Sequence, residues 1–231
     1  MHPLINKYKL YLYIFFFIFL SSIFNFQFLE GLQEKFILKK ISIKGLSNNE
    51  KEMIEEEFHI LKNTNIFKLN EKDVLEKLNK FNFLENIYVN KIIPSSLNIN
   101  LSKTSILGQT LRNGENFYIG KNQKFIKSVQ LNELIETATV FGDFEIEEYL
   151  NLINILNAHK LDIKNIKNYY YFKNKRWDLL FSNGLTLMLP SKNIEKSIKI
   201  YKKMLTNDNF VNAKIIDLRV TNQIILTNSN E

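Results

Sequence analysis

No cysteine occurs in the 231 residues. Disulfides, thiolate metal sites and a cysteine nucleophile are excluded together, and the chain is compatible with an oxidising compartment without requiring one. Only seven glycines and three prolines are present, too few for a linker-rich or disordered chain. The three histidines, His2, His59 and His159, lie far apart. No His-Glu-x-x-His, Gly-x-Ser-x-Gly, phosphate-binding loop or dinucleotide fingerprint occurs. No catalytic residue, cofactor or metal site is therefore expected, and the chain does not read as an enzyme. A concentrated basic block is missing too. The net charge is +7 and the pI is near 9.3, but lysines alternate with glutamates along the chain, the pattern of an ordinary solvated surface. That pattern argues against a nucleic-acid partner.

What is present begins with Leu10–Leu29, LYLYIFFFIFLSSIFNFQFL, which contains no Asp, Glu, Lys or Arg. As a helix it measures roughly 30 Å, the thickness of a hydrocarbon core. Its apolar residues fall on every face, unlike the single stripe of a core helix. It is longer than the apolar part of a cleaved signal peptide, and no small-residue cleavage site follows it. The expectation is one uncleaved transmembrane helix over 10–29, with a short cytoplasmic tail over 1–9. Lys7 and Lys9 precede the helix, and Lys35, Lys39, Lys40 and Lys44 follow it, so lysine counting does not set the orientation.

Beyond the anchor, Phe36–Lys44 alternates with period two and reads as a strand that places Ile37, Lys39, Ile41 and Ile43 on one side. Ser47 and Glu50 have the spacing of a capping box. The helix they open presents Ile54, Phe58 and Leu61, with Glu52, Glu55, Glu56 and Glu57 as its solvated face. Asn70 is a second N-cap, with Leu69 and Val74 spaced as a hydrophobic staple. That helix presents Val74, Leu75, Leu78 and Phe81. Strands follow over Asn86–Ile93 and, after Pro94-Ser95-Ser96, over Leu97–Leu101. The order, length and turns of this β-α-α-β-β stretch resemble a POTRA domain, expected over 36–104. Such domains bind other polypeptides, often by pairing strands.

The remainder, 105–231, reads as short strands with two amphipathic helices. Two or three strands lie around Asn113-Gly114 and Gly120. Asp143 is expected to cap a helix running to Ala158 with Ile146, Leu150, Ile153 and Leu156 inward. Strands at Ile166–Phe172, Arg176–Phe181 and Leu185–Leu189 follow, the last two joined by Asn183-Gly184. A helix marked by Ile194, Ile198, Tyr201 and Leu205 precedes two final strands, Ala213–Arg219 and Gln223–Thr227. Trp177, alternating within its strand, reads as core. Asp217 and Arg219, two apart on a strand, share a face and read as a structural pair.

The anchor, the POTRA-like unit and the β-rich end together resemble the FtsQ/DivIB cell-division family. The resemblance rests on Pro94-Ser95-Ser96-Leu97-Asn98-Ile99, on Trp177-Asp178-Leu179 with Asn183-Gly184 and Leu187, and on Ile215-Ile216-Asp217-Leu218-Arg219. The chain departs from the family pattern at Lys103, Ile106 and Gly108, and at Thr137-Ala138 before Gly142. The resemblance implies an α+β fold and a bitopic protein of the bacterial inner membrane, with its bulk on the periplasmic side and concentrated at the division septum. It implies a non-enzymatic divisome scaffold linking early and late division proteins. The implied partners are FtsB-like and FtsL-like bitopic proteins, with other divisome membrane proteins possible in addition. The competing reading is another membrane-anchored POTRA protein, of export or outer-membrane assembly. In the family the segment after Asp-Leu-Arg helps bind FtsB. By position this implies Arg219, Val220, Asn222, Gln223, Ile224, Ile225 and Leu226 as the partner-binding residues. From the residues alone, Gln223–Thr227 is a terminal strand with no proline or charge to blunt it, which suits capture of a partner strand. A proline at Ile225 is expected to remove an edge donor.

Overall fold

The computed structural model describes residues 7–23, 31, 33–131, 133–205, 213–220 and 223–228. Helix α1, Lys7–Ile23, is 17 residues long, and between Lys9 and Ser21 it carries no charged side chain on any face. Its side chains from Tyr8 to Leu20 are exposed. The rest of the expected anchor, 24–29, lies outside the described residues, and no helix among the described residues is long and apolar enough to cross a membrane. The chain divides into two compact units, 1–80 with 86–102, and 81–85 with 103–231.

The first unit has the β-α-α-β-β order read from the sequence: β1 (Lys40–Lys44), α2 (Asn48–Phe58), α3 (Glu71–Leu78), β2 (Leu84–Ile92) and β3 (Ser96–Lys103). The sheet order is β1-β3-β2, with β1 parallel to β3. Strand β3 alternates as expected, burying Leu97, Ile99 and Leu101. Ile54 and Phe58 of α2, Val74 and Leu78 of α3, and Ile43 of β1 complete the core. Both caps form. The Glu50 carboxylate accepts from the Ser47 N–H at 3.1 Å and from its hydroxyl at 2.8 Å. Asn70 Oδ1 accepts from the Lys72 N–H at 3.1 Å. Leu69 and Val74 are both buried, as a staple requires.

Three details differ from the periodicity. The first strand begins at Lys40, so Leu38, bonded through its N–H to the Thr64 carbonyl, is buried instead of Ile37. Helix α2 stops at Phe58 and tightens into a 3₁₀ turn, His59–Leu61, which leaves Leu61 half-buried. Helix α3 stops at Leu78, and Phe81 belongs to the second unit. Gly45 carries a positive φ of 92°, and a Cβ there would lie 1.9 Å from the Leu101 carbonyl oxygen. Only glycine fits that turn.

The second unit is built on a nine-stranded sheet of described residues: β4 (Ile106–Arg112), β5 (Glu115–Gly120), β6 (Phe125–Lys127), β7 (Thr139–Phe141), β8 (Ile166–Tyr171), β9 (Trp177–Phe181), β10 (Thr186–Met188), β11 (Ala213–Asp217) and β12 (Ile225–Asn228). Their order is β12-β11-β10-β9-β8-β7-β4-β5-β6, mixed and mainly antiparallel. One face buries Val140, Tyr169, Leu179, Leu187 and Ile216, which lie in register across β7–β11 and are at most 2% exposed. Helices α4 (Ile146–Ala158) and α5 (Ile194–Met204) pack in the same core. Trp177 is core, as expected.

Here the sequence reading needs three corrections. The N-cap of α4 is Glu145, paired with Glu148 in a capping box, not Asp143. Its buried stripe is Tyr149, Leu152, Ile153 and Leu156, while Leu150 is half-buried. Helix α5 buries Ile198, Tyr201 and Met204, and Leu205 is exposed.

Candidate partner-binding edge

Strand β12 pairs with β11 and with no other strand among the described residues, so its second side is an open sheet edge. The buried row that crosses the sheet runs from Val140 to Ile216 and continues at Leu226, which is 39% exposed. Ile224 and Ile225 are exposed too. An apolar, uncharged, proline-free strand at an open edge is a template for another chain.

The backbone register decides which groups face outward. The Leu218 N–H donates to the Met188 carbonyl at 3.0 Å. Leu218 therefore turns its backbone groups toward β10, and Asp217, one residue before it, turns its own toward β12. Asp217 lies opposite Ile225 and Ile216 lies opposite Leu226. Ile225 thus exchanges its backbone bonds with Asp217, while the N–H and C=O of Leu226 point to the open edge. The expectation that a proline at Ile225 removes an edge donor is corrected by this alternation: it removes a bond to β11.

Asp217 and Arg219 form the expected pair. Arg219 Nε donates to Asp217 Oδ1 at 2.8 Å, its Nη2 to Oδ2 at 2.5 Å, and its backbone N–H to Oδ1 at 2.9 Å. These bonds hold the Asp217 carboxyl below the usual carboxylate range, against the effect of its burial. They also fix the position of the half-exposed guanidinium. A groove of about 230 Å³ lies beside it, lined by Lys192, Lys196 and Ile200 on one wall and by Arg219, Val220, Gln223 and Ile224 on the other. Of the residues implied as a binding site, Arg219, Val220, Gln223, Ile224, Ile225 and Leu226 are thus brought together at this edge. Asn222 lies outside the described residues.

Sequence reasoning missed the α5 wall of the groove, because Lys192 and Lys196 look like any solvated helix start. It also passed over Asp178. This residue is only 5% exposed, its Oδ1 has no hydrogen-bond partner among the described residues, and Arg176 Nε is 3.9 Å away. Its signal was a carboxylate inside the apolar run Trp177-Asp178-Leu179-Leu180-Phe181. Among the described residues, no three His, Asp or Glu side chains cluster as metal ligands. His59 is exposed and His159 half-buried, and His2 lies outside the described residues.

Two family models match the chain, "POTRA domain, FtsQ-type" over residues 36–104 and "Cell division protein FtsQ/DivIB, C-terminal" over residues 111–219. The chain belongs to the FtsQ/DivIB family of cell division proteins. Among its relatives is the cell division protein FtsQ of Rickettsia bellii, 25% identical over 197 residues, covering 81% of this chain and 71% of that protein. The cell division protein DivIB of Clostridium botulinum is 28% identical over 196 residues, covering 78% and 76%. A solved structure of the major extracytoplasmic domain of Geobacillus stearothermophilus DivIB, in its trans isomer, aligns at a TM-score of 0.34 and 9% identity, covering 47% of this chain and 96% of that one. In this FtsQ/DivIB chain the matched C-terminal region ends at Arg219, so the whole of β12 lies beyond it.

Asp178 provides a pH test of this face of the FtsQ/DivIB domain. Burial raises its pKa, and Asp217 adds to the rise, against the lowering effects of Arg176 and Arg219. A carboxyl raised in the fold contributes stability below its unfolded pKa of about 3.9, and that contribution is lost as pH rises through the folded value. Asp178→Asn removes the ionisation. The variant is expected to melt above wild type at pH 7, with the difference closing as pH falls toward 4. Melting curves across that range, followed by the fluorescence of Trp177, the one tryptophan of the chain and a core residue of the second unit, check the sign, and a variant that melts lower at pH 7 would show that the carboxylate is needed in its charged form.

Proposed function

We propose that this chain is a bitopic, non-enzymatic divisome scaffold. In this reading the segment 10–29 spans the inner membrane and the two units lie on the periplasmic side. Strand β12 captures an FtsB-like partner by strand addition, and the same assembly includes an FtsL-like protein at the division septum. The observation that carries the reading is the open β12 edge, where the buried row of the sheet ends on a half-exposed Leu226. A strand added there gains backbone bonds along the edge, and its alternate side chains extend that row.

The experiment is capture of an FtsB-like partner by the full chain from detergent extracts, with a fluorescent fusion followed in constricting cells. Retention of the partner and collection of the fusion at mid-cell are expected. Uniform membrane fluorescence in constricting cells, with no partner retained, would sink the proposal. Topology is tested separately. A reporter active only in the cytoplasm, fused after Thr227, is expected to be silent. Phe17→Arg places a charge mid-segment at about 2.5 to 3.5 kcal/mol, and weaker carbonate-resistant membrane association is expected. Unchanged association would argue against a spanning helix.

A further inference from the structure

In the first unit a group of lysines stands apart from the ion pairs its acids form. Lys51 pairs with Glu55 at 3.5 Å, and Lys77 and Lys80 share Glu57 at 3.4 and 2.7 Å. Lys39, Lys40, Lys44 and Lys62 are exposed and make no ion pair with any described residue. They lie along β1 and around the cavity at its start. Strand β1 is an edge of its sheet, and Lys40 and Lys44 share one of its faces by the period of two. Lys39 and Lys62 line, together with Lys40, a cavity of about 180 Å³, whose other walls are Ile41, Phe58 and Glu55. Glu55 is the one acid there, and Lys51 already engages it.

Lysines on an edge strand keep other strands from pairing with it. That accounts for Lys40 and Lys44. It does not account for Lys39, which precedes the strand, or for Lys62, which follows the 3₁₀ turn.

The place of the cluster in the chain points to its occupant. Lys39 follows Leu29, the end of the anchor segment, by ten residues. Fully extended, such a length reaches at most about 35 Å. With α1 in a bilayer, the cluster is confined to the zone next to the headgroups, at high effective concentration. We propose that Lys39, Lys40, Lys44 and Lys62 dock the first unit on anionic lipid headgroups of the membrane surface. This rests on the anchor reading given above. A membrane-docked first unit limits how far the tethered domain wanders from the bilayer.

Each lysine near an anionic surface contributes about a fivefold factor, and the attraction fades within a Debye length. The test uses the full chain reconstituted in vesicles of phosphatidylcholine alone, or of phosphatidylcholine with 30% phosphatidylglycerol, both free of lipid amines. Acetylation rates of individual lysines are read by mass spectrometry, with exposed Lys173 of the second unit as reference. Acetylation of Lys39, Lys40, Lys44 and Lys62 is expected to slow at least tenfold in the phosphatidylglycerol vesicles at low salt, and to recover in 0.5 M sodium chloride. Equal rates in the two lipids overturn the inference, as does protection in both lipids that salt leaves unchanged. A chain that fails to float with phosphatidylcholine vesicles overturns the anchor reading and this inference with it. A chain that floats while its lysines react equally in both overturns this inference alone.

Discussion

Phe58→Ala is expected to cost the first unit about 3 to 5 kcal/mol, the range for deleting a fully buried aromatic ring. Phe58 is the last residue of α2 and has no exposed surface. The other core residues of the unit, Ile54, Val74, Leu78, Leu97 and Ile99, are likewise closed to solvent. The loss is a large share of the 5 to 15 kcal/mol that stabilises an ordinary domain. The chain has two compact units, so one melting temperature does not report on one of them. Amide hydrogen exchange across β1 and β3 is the suitable readout, and protection there is expected to fall by roughly two to four decades. Phe67 provides the contrast. It packs tilted against Phe36 with ring centroids 4.9 Å apart but is 61% exposed. Phe67→Ala is expected to cost about 1 kcal/mol or less. Similar losses from both substitutions would mean that burial does not set the energetics of this unit.

The same residues show why some of the architecture was legible in the sequence and some was not. Ser47 with Glu50, and Asn70 with the Leu69–Val74 staple, are local patterns whose chemistry is complete within a few residues. They form as read. Strand β3 was legible because three buried side chains alternate with four polar ones over a single run. Helix phase was less secure. In α4 both Leu150 and Tyr149 suit an apolar stripe, and the choice fell to Tyr149 because its hydroxyl reaches the Leu107 carbonyl at 2.8 Å, a partner 42 residues away. Burial pushes that hydroxyl's pKa up, which fits a donor fixed inside the core. In α5 the helix ends at Met204, so Leu205 falls past the buried turn.

Long-range order was not legible at all. Strand β7 is three residues long, and it sits parallel to both β4 and β8. No periodicity marks a strand that short. Its Val140 is nevertheless the start of the buried row that ends at the candidate edge. The Asp217–Arg219 pair was readable from spacing alone, whereas the groove beside it needed α5, brought back by the parallel crossover from β10 to β11. The sequence therefore pointed to the strand that forms the edge, and the structure supplied the wall and the outward-facing atoms.

Those atoms set the last prediction. Leu226→Pro is expected to abolish capture of an FtsB-like peptide while leaving the second unit folded. The Leu226 N–H faces the open edge, because Ile225 is the residue bonded to Asp217. A proline at 226 thus removes a donor that β11 does not use, and its fixed φ suits an edge strand. Strand addition loses one backbone bond, and the ring intrudes where the partner strand would lie, so binding is expected to fall at least a hundredfold. Ile225→Pro acts differently. It removes the bond to Asp217, so the pairing of β11 with β12 weakens and the edge itself frays. Binding is lost in both variants, but the hydrogen-exchange protection of β11 amides is expected to survive only in Leu226→Pro. Leu226→Ala is the side-chain control. It keeps the backbone donor and shortens the row that runs from Val140 to Leu226, so a loss of only about tenfold is expected. Wild-type affinity in Leu226→Pro, with β11 still protected, would show that the partner does not add a strand at this edge. Equal losses in Leu226→Pro and Leu226→Ala would instead assign the contact to the side chain and leave the backbone of β12 without a part in it.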